Sequence, residues 1–562
     1  MPVSTSCATL RKRMRTIDLV AESLRREGAR YLFCFPTTPV IEACAQAGLQ
    51  PIICRQERVG VGIADGYSRV TNGEQLAAFA MQFGPGSENA YAGIATAYSD
   101  SVPILLLPLG HPLDRQGVAP LFSAQQGFRA VARSVELITS PARTADALRR
   151  ALAALRIGRM GPVVLEIPAD IAVQIVPSPV PEWRAVRRAR AQADPADVLA
   201  AAHALRAAHR PVVLAGQGVL YAQASEQLVA LAEQLALPAA TTLLGKSAFP
   251  ETHPLALGCA SQVTAQPAAE FLDHADLIVA VGTSLTRHAT KVTLREGPPI
   301  IQIVNDPTDL YKDYPLEHAL LGDARLVLEQ LGEACREVTT SVDPEADLVA
   351  ADIHAIDQRW RSAWQRKTGD PRQPINPYRV MAEFMDLFDP DQCIVTHDSG
   401  NPRGQLVPFY RCGGPRSFLG WGMSHGLGTS LGLIMGAKLA RPDKLCVCFM
   451  GDAAFGMVGM DFETAVRHGI PIMTLVLNNS GMASEVRDMP HAEAEYATSN
   501  LHGNYADIAR ALGGYAERVV DPNDIRPALE RAHQQTLDGR PALVEFITAR
   551  EMALSTTETP VP

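Results

Sequence analysis

Short apolar runs alternate with helical patterns along the first 175 or so residues of the chain. Apolar runs bounded by turn-forming residues are typical of strands that are buried on both faces of a parallel sheet. The predicted strands of this block are Tyr31–Phe35, Pro51–Cys54, Leu76–Ala80, Pro103–Leu107 and Pro162–Ile167. Helices between successive strands would cover both faces of the sheet, so the pattern predicts an α/β unit.

The same alternation occurs twice more, after a proline-rich linker at 176–181 and a polar stretch at 341–375. The second block predicts a helical segment at Ala222–Leu235 and strands at Pro211–Ala215, Leu277–Val281 and Ile300–Val304. The third predicts strands at Gln392–Thr396, Leu445–Phe449, Ile472–Leu477 and Ala542–Ile547. We therefore predict an α/β protein with three doubly wound parallel-sheet domains, at 1–185, 190–340 (Rossmann-like) and 376–550.

Composition and charge narrow the classes of partner. The net charge of −9 argues against nucleic acid and anionic membranes, which both favour basic surfaces. No apolar run reaches the length that spans a bilayer, and the basic residues 11–15 precede the charged Asp18 and Glu22 instead of a signal core. Ten cysteines without a C-x-x-C pair favour a reducing, cytoplasmic compartment. We expect a small-molecule partner.

Polar residues follow two predicted strands of the third block. Gly451-Asp452-Ala453-Ala454-Phe455 comes after the strand at 445–449, and Asn478-Asn479 comes after the strand at 472–477. Both segments would lie at the carboxyl edge of one sheet, where parallel α/β sheets bind ligands. Asp452 and Asn479 offer the hard oxygens that Mg²⁺ prefers, and small residues at a helix start leave N–H groups free for an anion. Taken alone, the pattern also fits a helix cap and a turn.

An acidic residue occupies a similar position in the first block. Glu57 follows the strand Pro51–Cys54 and begins a helical segment rich in small residues, up to Arg69. A lone Glu at that position is most simply a residue that favours a helix N-terminus. The third motif is the glycine-rich segment Gly420–Gly432, which precedes a predicted helix through Ile434 to Leu439; taken alone it also fits a loop that packs closely on a sheet.

Together these segments resemble thiamine-diphosphate-dependent enzymes of the acetolactate synthase, 2-oxo-acid decarboxylase and 2-hydroxyacyl-CoA lyase superfamily. That family carries Gly-Asp-Gly, about 25 residues and then Asn-Asn; here residues 453–477, 25 in all, separate Asp452 from Asn478, and Ala453 replaces the third residue. The resemblance covers about residues 14 to 550. It implies a pyrimidine-binding, a central and a diphosphate-binding domain in that order.

The resemblance also implies roles for individual residues. The carboxylate of Asp452, the side chain of Asn479 and the main-chain oxygen of Gly481 would hold Mg²⁺ against the diphosphate. Glu57 would hydrogen-bond N1′ of the aminopyrimidine, because the 4′-imine must form before the weakly acidic C2 proton can leave. Leu427 would wedge the cofactor into its bent shape. The remaining implied site residues are Gly84 of a Gly-Pro-Gly loop, His111 as a substrate-facing acid or base, the main-chain oxygen of His425, Gly451, Ala453, Ala454 and Met482. Asp398, Gly400 and Asn401, which follow the predicted strand at 392–396, would line the diphosphate pocket.

The implied activity is cleavage or formation of a carbon–carbon bond next to a carbonyl, as in 2-oxo-acid decarboxylation or carboligation. An enzyme similar to oxalyl-CoA decarboxylase or 2-hydroxyacyl-CoA lyase is the second option, because residues 451–460 look closer to that branch. A non-catalytic paralogue that only binds the cofactor is the third. The expected substrates are a 2-oxo acid, an aldehyde or an acyl-CoA. FAD or ADP in the central domain is a further option, and in relatives two chains complete each site, so we expect a homodimer or homotetramer.

Overall fold

Three parallel six-stranded sheets, each covered by helices, make up the protein. The computed structural model describes residues 14–180, 182–338 and 346–555. Within these ranges every strand pair in the three sheets is parallel. The predicted α/β class with three doubly wound domains is confirmed. The domain bounds at 1–185, 190–340 and 376–550 stay predictions, and residues 1–13, 181 and 339–340 of those ranges lie outside the described residues.

The N-terminal sheet has the strand order β2-β1-β3-β4-β6-β5. Its strands are β1 Tyr31–Cys34, β2 Gln50–Ile53, β3 Ala78–Gln82, β4 Leu105–Gly110, β5 Ser134–Leu137 and β6 Val163–Pro168. The accompanying helices are α1 Thr16–Arg26, α2 Pro39–Gln46, α3 Glu57–Val70, α4 Pro85–Ser99, α5 Ala124–Gly127, α6 Thr144–Arg156 and α7 Ala169–Ala172.

The central sheet has the order β12-β11-β10-β7-β8-β9. Its strands are β7 Pro211–Ala215, β8 Ala239–Thr242, β9 Ala256–Ala260, β10 Leu277–Val281, β11 Ile300–Val304 and β12 His318–Leu321. The helices are α8 Pro195–Ala207, α9 Gln217–Ala222, α10 Ser225–Leu235, α11 Gln266–His274 and α12 Ala324–Glu337. A long helix, α13 Ala346–Thr368, occupies much of the polar stretch between the second and third blocks.

The C-terminal sheet has the order β14-β13-β15-β16-β18-β17. Its strands are β13 Cys393–His397, β14 Phe418–Leu419, β15 Leu445–Gly451, β16 Met473–Asn478, β17 Tyr515–Val519 and β18 Ala542–Ile547. The helices are α14 Pro377–Leu387, α15 Asn401–Phe409, α16 Thr429–Ala440, α17 Asp452–Val458, α18 Phe462–Arg467, α19 Pro490–Tyr496, α20 Tyr505–Ala511 and α21 Ile525–Leu537. No helix in the described ranges combines the length and apolarity that a bilayer crossing requires.

The differences from the predicted elements have physical reasons. Six strands were not predicted, because they are short, polar or at a sheet edge and so lack a strong apolar run. These are β5, β8, β9, β12, β14 and β17. The helical segment predicted at Ala222–Leu235 corresponds to α10, which begins at Ser225. Ala222 instead ends α9, because Gln223 adopts a left-handed conformation with φ +55° between the two helices.

Helices α3 and α16 join the N-terminal and C-terminal domains through glycines. A Cβ on Gly66 would lie 2.0 Å from the carbonyl oxygen of Leu433, and one on Gly436 would lie 2.0 Å from the carbonyl oxygen of Ile63. The two backbones therefore touch, which only glycine permits at this crossing. The contact places the start of α3, which carries Glu57, in a fixed relation to the C-terminal domain.

We expect Gly66→Ala to lower the free energy of unfolding by about 2–3 kcal/mol, because the added methyl group must push two helices apart. Gly414→Ala is the matched control, since a Cβ on Gly414 meets nothing within 4 Å. Urea unfolding of both variants would check this. Equal stability of Gly66→Ala and the wild type would show that the helix crossing yields without cost.

Candidate active site

A groove of about 430 Å³ runs along the carboxyl edge of the C-terminal sheet. It lies at the ends of β13, β15 and β16, where the sequence predicts ligand binding. Eleven of the residues predicted from the sequence lie around it: Gly400, Asn401, His425, Leu427, Gly451, Asp452, Ala453, Ala454, Asn479, Gly481 and Met482. The fold therefore brings together residues that are up to 82 positions apart (400 to 482).

Asp452 is the first residue of α17 and is buried, with 2% of its surface exposed. Its Oδ1 accepts a hydrogen bond from the backbone N–H of Ala453 at 2.8 Å, and its Oδ2 accepts one from Gly481 at 3.0 Å. Burial raises the pKa of this carboxyl, and the backbone donors act in the opposite direction. A cation beside Asp452 would offset the cost of burying its charge.

The two asparagines after β16 have different surroundings. Asn478 is structural: its amide donates to Glu545 Oε1 at 2.6 Å, and its Oδ1 accepts from the backbone N–H of Ser480 at 2.9 Å. The buried Oδ1 of Asn479, by contrast, has no hydrogen-bond partner in the described part of the chain. An unpartnered buried oxygen in the groove is an available ligand position.

The loop that carries Leu427 is held from beneath by Asp398. This fully buried carboxylate accepts hydrogen bonds from Gly428 N at 2.9 Å and from Ser430 Oγ at 2.6 Å. Asp398 is not among the described residues that line the groove, so its structural role is to position the loop. Leu427 is half-buried against the core shared by the N-terminal and C-terminal domains, and His425 adopts a left-handed conformation with φ +54°.

Glu57 begins α3 and is 5% exposed. Asn89 of α4 donates to its Oε2 at 2.5 Å, and a Cβ on Gly86 would lie 3.2 Å from its Oε1. The Gly84-Pro85-Gly86 turn therefore lies directly beside the carboxylate, with Gly84 at φ +59°. The predicted site residues Glu57 and Gly84 therefore lie close together, at the starts of α3 and α4.

Glu57 and His111 are absent from the described residues that line the groove of Asp452. His111 follows β4 at the carboxyl edge of the N-terminal sheet, where its ring lies against that of Phe83 with a centroid distance of 4.4 Å. Gly84 also lies at this edge. The predicted site residues thus form two groups in one chain, one at the N-terminal sheet and one in the C-terminal groove.

A buried ionic cluster lies where the three domains meet. Arg69 of α3 is 1% exposed; its guanidinium binds Asp65 and, at 2.9 Å, Asp100. It also donates to the main-chain oxygen of Gly420 at 3.0 Å, and Asp100 accepts from Met423 N at 3.3 Å. The N-terminal domain thereby holds the beginning of the loop that leads to Leu427.

Sequence reasoning missed two residues near the groove. Arg403 of α15 lines it, and His288 of the central domain lies against His425 with a ring-centroid distance of 5.1 Å. Arg403 could have been identified, because it is only five residues beyond the predicted pocket residue Asp398. His288 could not, because its position depends on how the central domain packs on the C-terminal one.

Comparisons with known proteins agree with this arrangement. Three family models match: the N-terminal thiamine pyrophosphate (TPP, thiamine diphosphate) binding domain at 14–134, the central domain of these enzymes at 198–331 and their C-terminal TPP binding domain at 398–546. The chain belongs to the family of thiamine pyrophosphate enzymes. It is an enzyme that uses this cofactor to act on a carbon–carbon bond.

Curated relatives match over almost their whole length. The probable acetolactate synthase large subunit of Methanocaldococcus jannaschii is 26% identical over 95% of this chain and 92% of that protein. The acetolactate synthase isozyme 3 large subunit of Escherichia coli is 28% identical over 94% of each chain. Sulfoacetaldehyde acetyltransferase of Alcaligenes xylosoxydans xylosoxydans is 29% identical over 90% of this chain and 88% of that protein. None of these names or family descriptions mentions FAD or ADP, so that option gains no support.

Proposed function

We propose that this protein catalyses decarboxylation of a 2-oxo acid, carboligation of the resulting fragment, or both, in the manner of acetolactate synthase. The observation that carries the proposal is that one chain holds both a buried Glu57 at the start of α3 and a groove lined by Asp452 and Asn479. The Oδ1 of Asn479 has no partner among the described residues. Relatives named as acetolactate synthases over nearly the full chain support it.

The groove fits a magnesium–diphosphate group. The described residues contain no group of three or more His, Cys, Asp and Glu side chains that could hold a metal. A metal here would therefore use one carboxylate, Asp452, with the amide oxygen of Asn479, the main-chain oxygen of Gly481 and oxygens from a phosphate. Gly451 and Gly400 suit a bulky anion, because a Cβ on either meets nothing within 4 Å.

Bound thiamine diphosphate would supply a carbanion that adds to a carbonyl and then stabilises the negative charge left by the departing group. The chain's own part begins with Glu57, which would hold a proton at N1′ of the aminopyrimidine while Asn89 fixes the orientation of the carboxylate. The main-chain oxygen of His425 would accept from the 4′-amino group, and Leu427 would support the bent cofactor from below. The N–H groups of Ala453 and Met482 are already engaged, by Asp452 Oδ1 and by the main-chain oxygen of Ser499. The N–H of Ala454 in the first turn of α17 would therefore face the diphosphate together with Asn401. His111 would face the substrate.

Two chains would complete each site. Glu57 and Gly84 follow strands of the N-terminal sheet and are not among the described residues that line the groove of Asp452. The proposed chemistry nevertheless requires Glu57 and Asp452 to hold the same cofactor. A homodimer in which the N-terminal sheet edge of one protomer faces the groove of its partner satisfies this requirement, and a homotetramer can contain such a pair. The domains at 1–185 and 376–550 would bind the pyrimidine and the diphosphate respectively.

The test is a substrate panel with purified protein, thiamine diphosphate and Mg²⁺, following CO₂ release and ligated products. Turnover of a 2-oxo acid is the expected result. Turnover confined to acyl-CoA substrates would instead favour the enzyme class of oxalyl-CoA decarboxylase and 2-hydroxyacyl-CoA lyase. Cofactor binding without turnover of either substrate class would support a non-catalytic paralogue.

A further inference from the structure

The groove contains a half-buried cation, Arg403, for which the described residues supply no ion-pair partner. Arg403 is the third residue of α15 and lines the groove together with Leu427 and His425. Its Nη1 is buried and has no hydrogen-bond partner among the described residues. Its guanidinium also forms no ion pair with any carboxylate in the described part of the chain. A buried, unpaired charge is costly, so such a group is retained where a ligand supplies the counter-charge.

The two acids whose charges act near Arg403, Asp398 and Asp100, are already engaged by other groups. Partial burial and then the charge of Arg403 lower the pKa of His425. Burial, and beyond it the charges of Lys291 and Arg403, lower the pKa of His288. The acid whose charge favours the Arg403 guanidinium is Asp398, whose oxygens are already engaged by Gly428 and Ser430. Asp100, whose charge acts on both histidines, is bound to Arg69. Within the described residues no carboxylate therefore forms an ion pair with Arg403.

Arg403 lies beside the loop that carries His425 and Leu427. A Cβ on Gly422 would lie 3.3 Å from its Nη1, so the guanidinium lies against the loop that continues to His425 and Leu427. A Cβ at the same position would also approach Leu243 and Thr290 of the central domain. The guanidinium is therefore near the boundary between the loop and the central domain, on the side of the groove where His288 meets His425.

We propose that Arg403 is a specificity-determining residue that binds the carboxylate of the 2-oxo acid substrate, with His288 and His425 beside it. This inference rests on the proposed function, because it names the group by which that site would recognise its substrate. The planar guanidinium matches a carboxylate through two parallel N–H donors. The same anion chemistry could come from the cofactor's diphosphate, since Gly400 and Asn401 begin the same helix, and the experiment separates the two sources.

The experiment measures binding by calorimetry to protein loaded with thiamine diphosphate and Mg²⁺. The probes are oxamate, an unreactive carboxylate with the shape of a small 2-oxo acid, and methyl oxamate, in which an ester removes the charge. We expect Arg403→Gln to weaken oxamate binding about 10-fold to 100-fold, the size of a lost charged hydrogen bond, and to leave methyl oxamate and thiamine diphosphate affinities unchanged. Arg403→Lys should keep part of the preference for oxamate, because it keeps the charge but loses the planar fork.

Arg487→Gln is the matched control. Arg487 stands at the outer rim of the groove with its side chain 84% exposed and paired with Asp488, so its loss removes the same charge without the buried contact. The proposal is overturned if wild-type protein shows no preference for oxamate, if Arg403→Gln weakens both probes equally, or if it weakens thiamine diphosphate instead. If the preference depends on Arg403 but no 2-oxo acid is turned over, the proposed function fails and the carboxylate site stands. If a 2-oxo acid is turned over but the preference for oxamate does not depend on Arg403, the carboxylate site fails and the proposed function stands.

Discussion

Glu57→Gln is expected to reduce turnover by about 10²-fold to 10⁴-fold, the range for loss of a general acid–base group. Glutamine keeps the size of the side chain and can still accept the hydrogen bond from Asn89, so the start of α3 should stay as it is. It cannot exchange a proton with N1′ of the aminopyrimidine. Thiamine diphosphate affinity should therefore change little while the chemical step slows.

The measurement is kcat at saturating cofactor, together with a separate titration of thiamine diphosphate affinity. Glu42→Gln is the control, because Glu42 is an exposed residue of α2 that contacts Gln46 and lies away from both groups of site residues. Full turnover of Glu57→Gln would remove Glu57 from the proposed mechanism. A loss of cofactor binding equal to the loss of rate would make it a binding residue only.

Asp452→Ala is expected to weaken binding of thiamine diphosphate with Mg²⁺ by about 100-fold or more, at or beyond the upper range known for residues that support metal ligands. Asp452 is the single carboxylate of the proposed metal site, and its removal leaves two neutral oxygens to face the cation. The variant also loses the acceptors for the N–H groups of Ala453 and Gly481. Activity at saturating cofactor should fall as well.

Thermal unfolding with and without thiamine diphosphate and Mg²⁺ gives the readout, because a ligand that binds only the folded state raises Tm, and raises it further the more tightly it binds. The wild type should show a clear rise in Tm and Asp452→Ala little or none. Asp443→Ala, which removes an exposed carboxylate paired with Arg441 just before β15, should respond as the wild type does. A normal Tm rise in Asp452→Ala would place the cation elsewhere.

Much of the candidate site was predictable because parallel sheets place the carboxyl ends of their strands together. Asp452 and Asn479 follow β15 and β16, which pair directly, so strand order alone predicts that they meet. The start of α3 at Glu57 was equally predictable, since a short buried strand precedes a run of small residues. Glycines in that run permit the close contact with α16, a contact that sequence alone does not reveal.

Other features could not be predicted because they depend on how separate domains pack. The meeting of His288 with His425 joins the central and C-terminal domains, and no local pattern encodes that distance. For Asp398, the local pattern predicts a pocket residue because it follows β13. In the structure its oxygens instead accept hydrogen bonds from Gly428 and Ser430 of the neighbouring loop. Edge strands such as β17 were missed because alternating polar residues weaken the apolar signal.

The buried cluster of Arg69, Asp65 and Asp100 bears on attempts to build chimaeras of this enzyme with its relatives. Replacing the C-terminal third alone would change the segment whose backbone satisfies Arg69 and Asp100, since Gly420 O and Met423 N come from that third. A mismatched segment there would leave buried charges without their hydrogen-bond partners, which is strongly destabilising. Recombination partners should therefore be chosen so that α3, the end of α4 and the 420–423 segment are inherited from one parent.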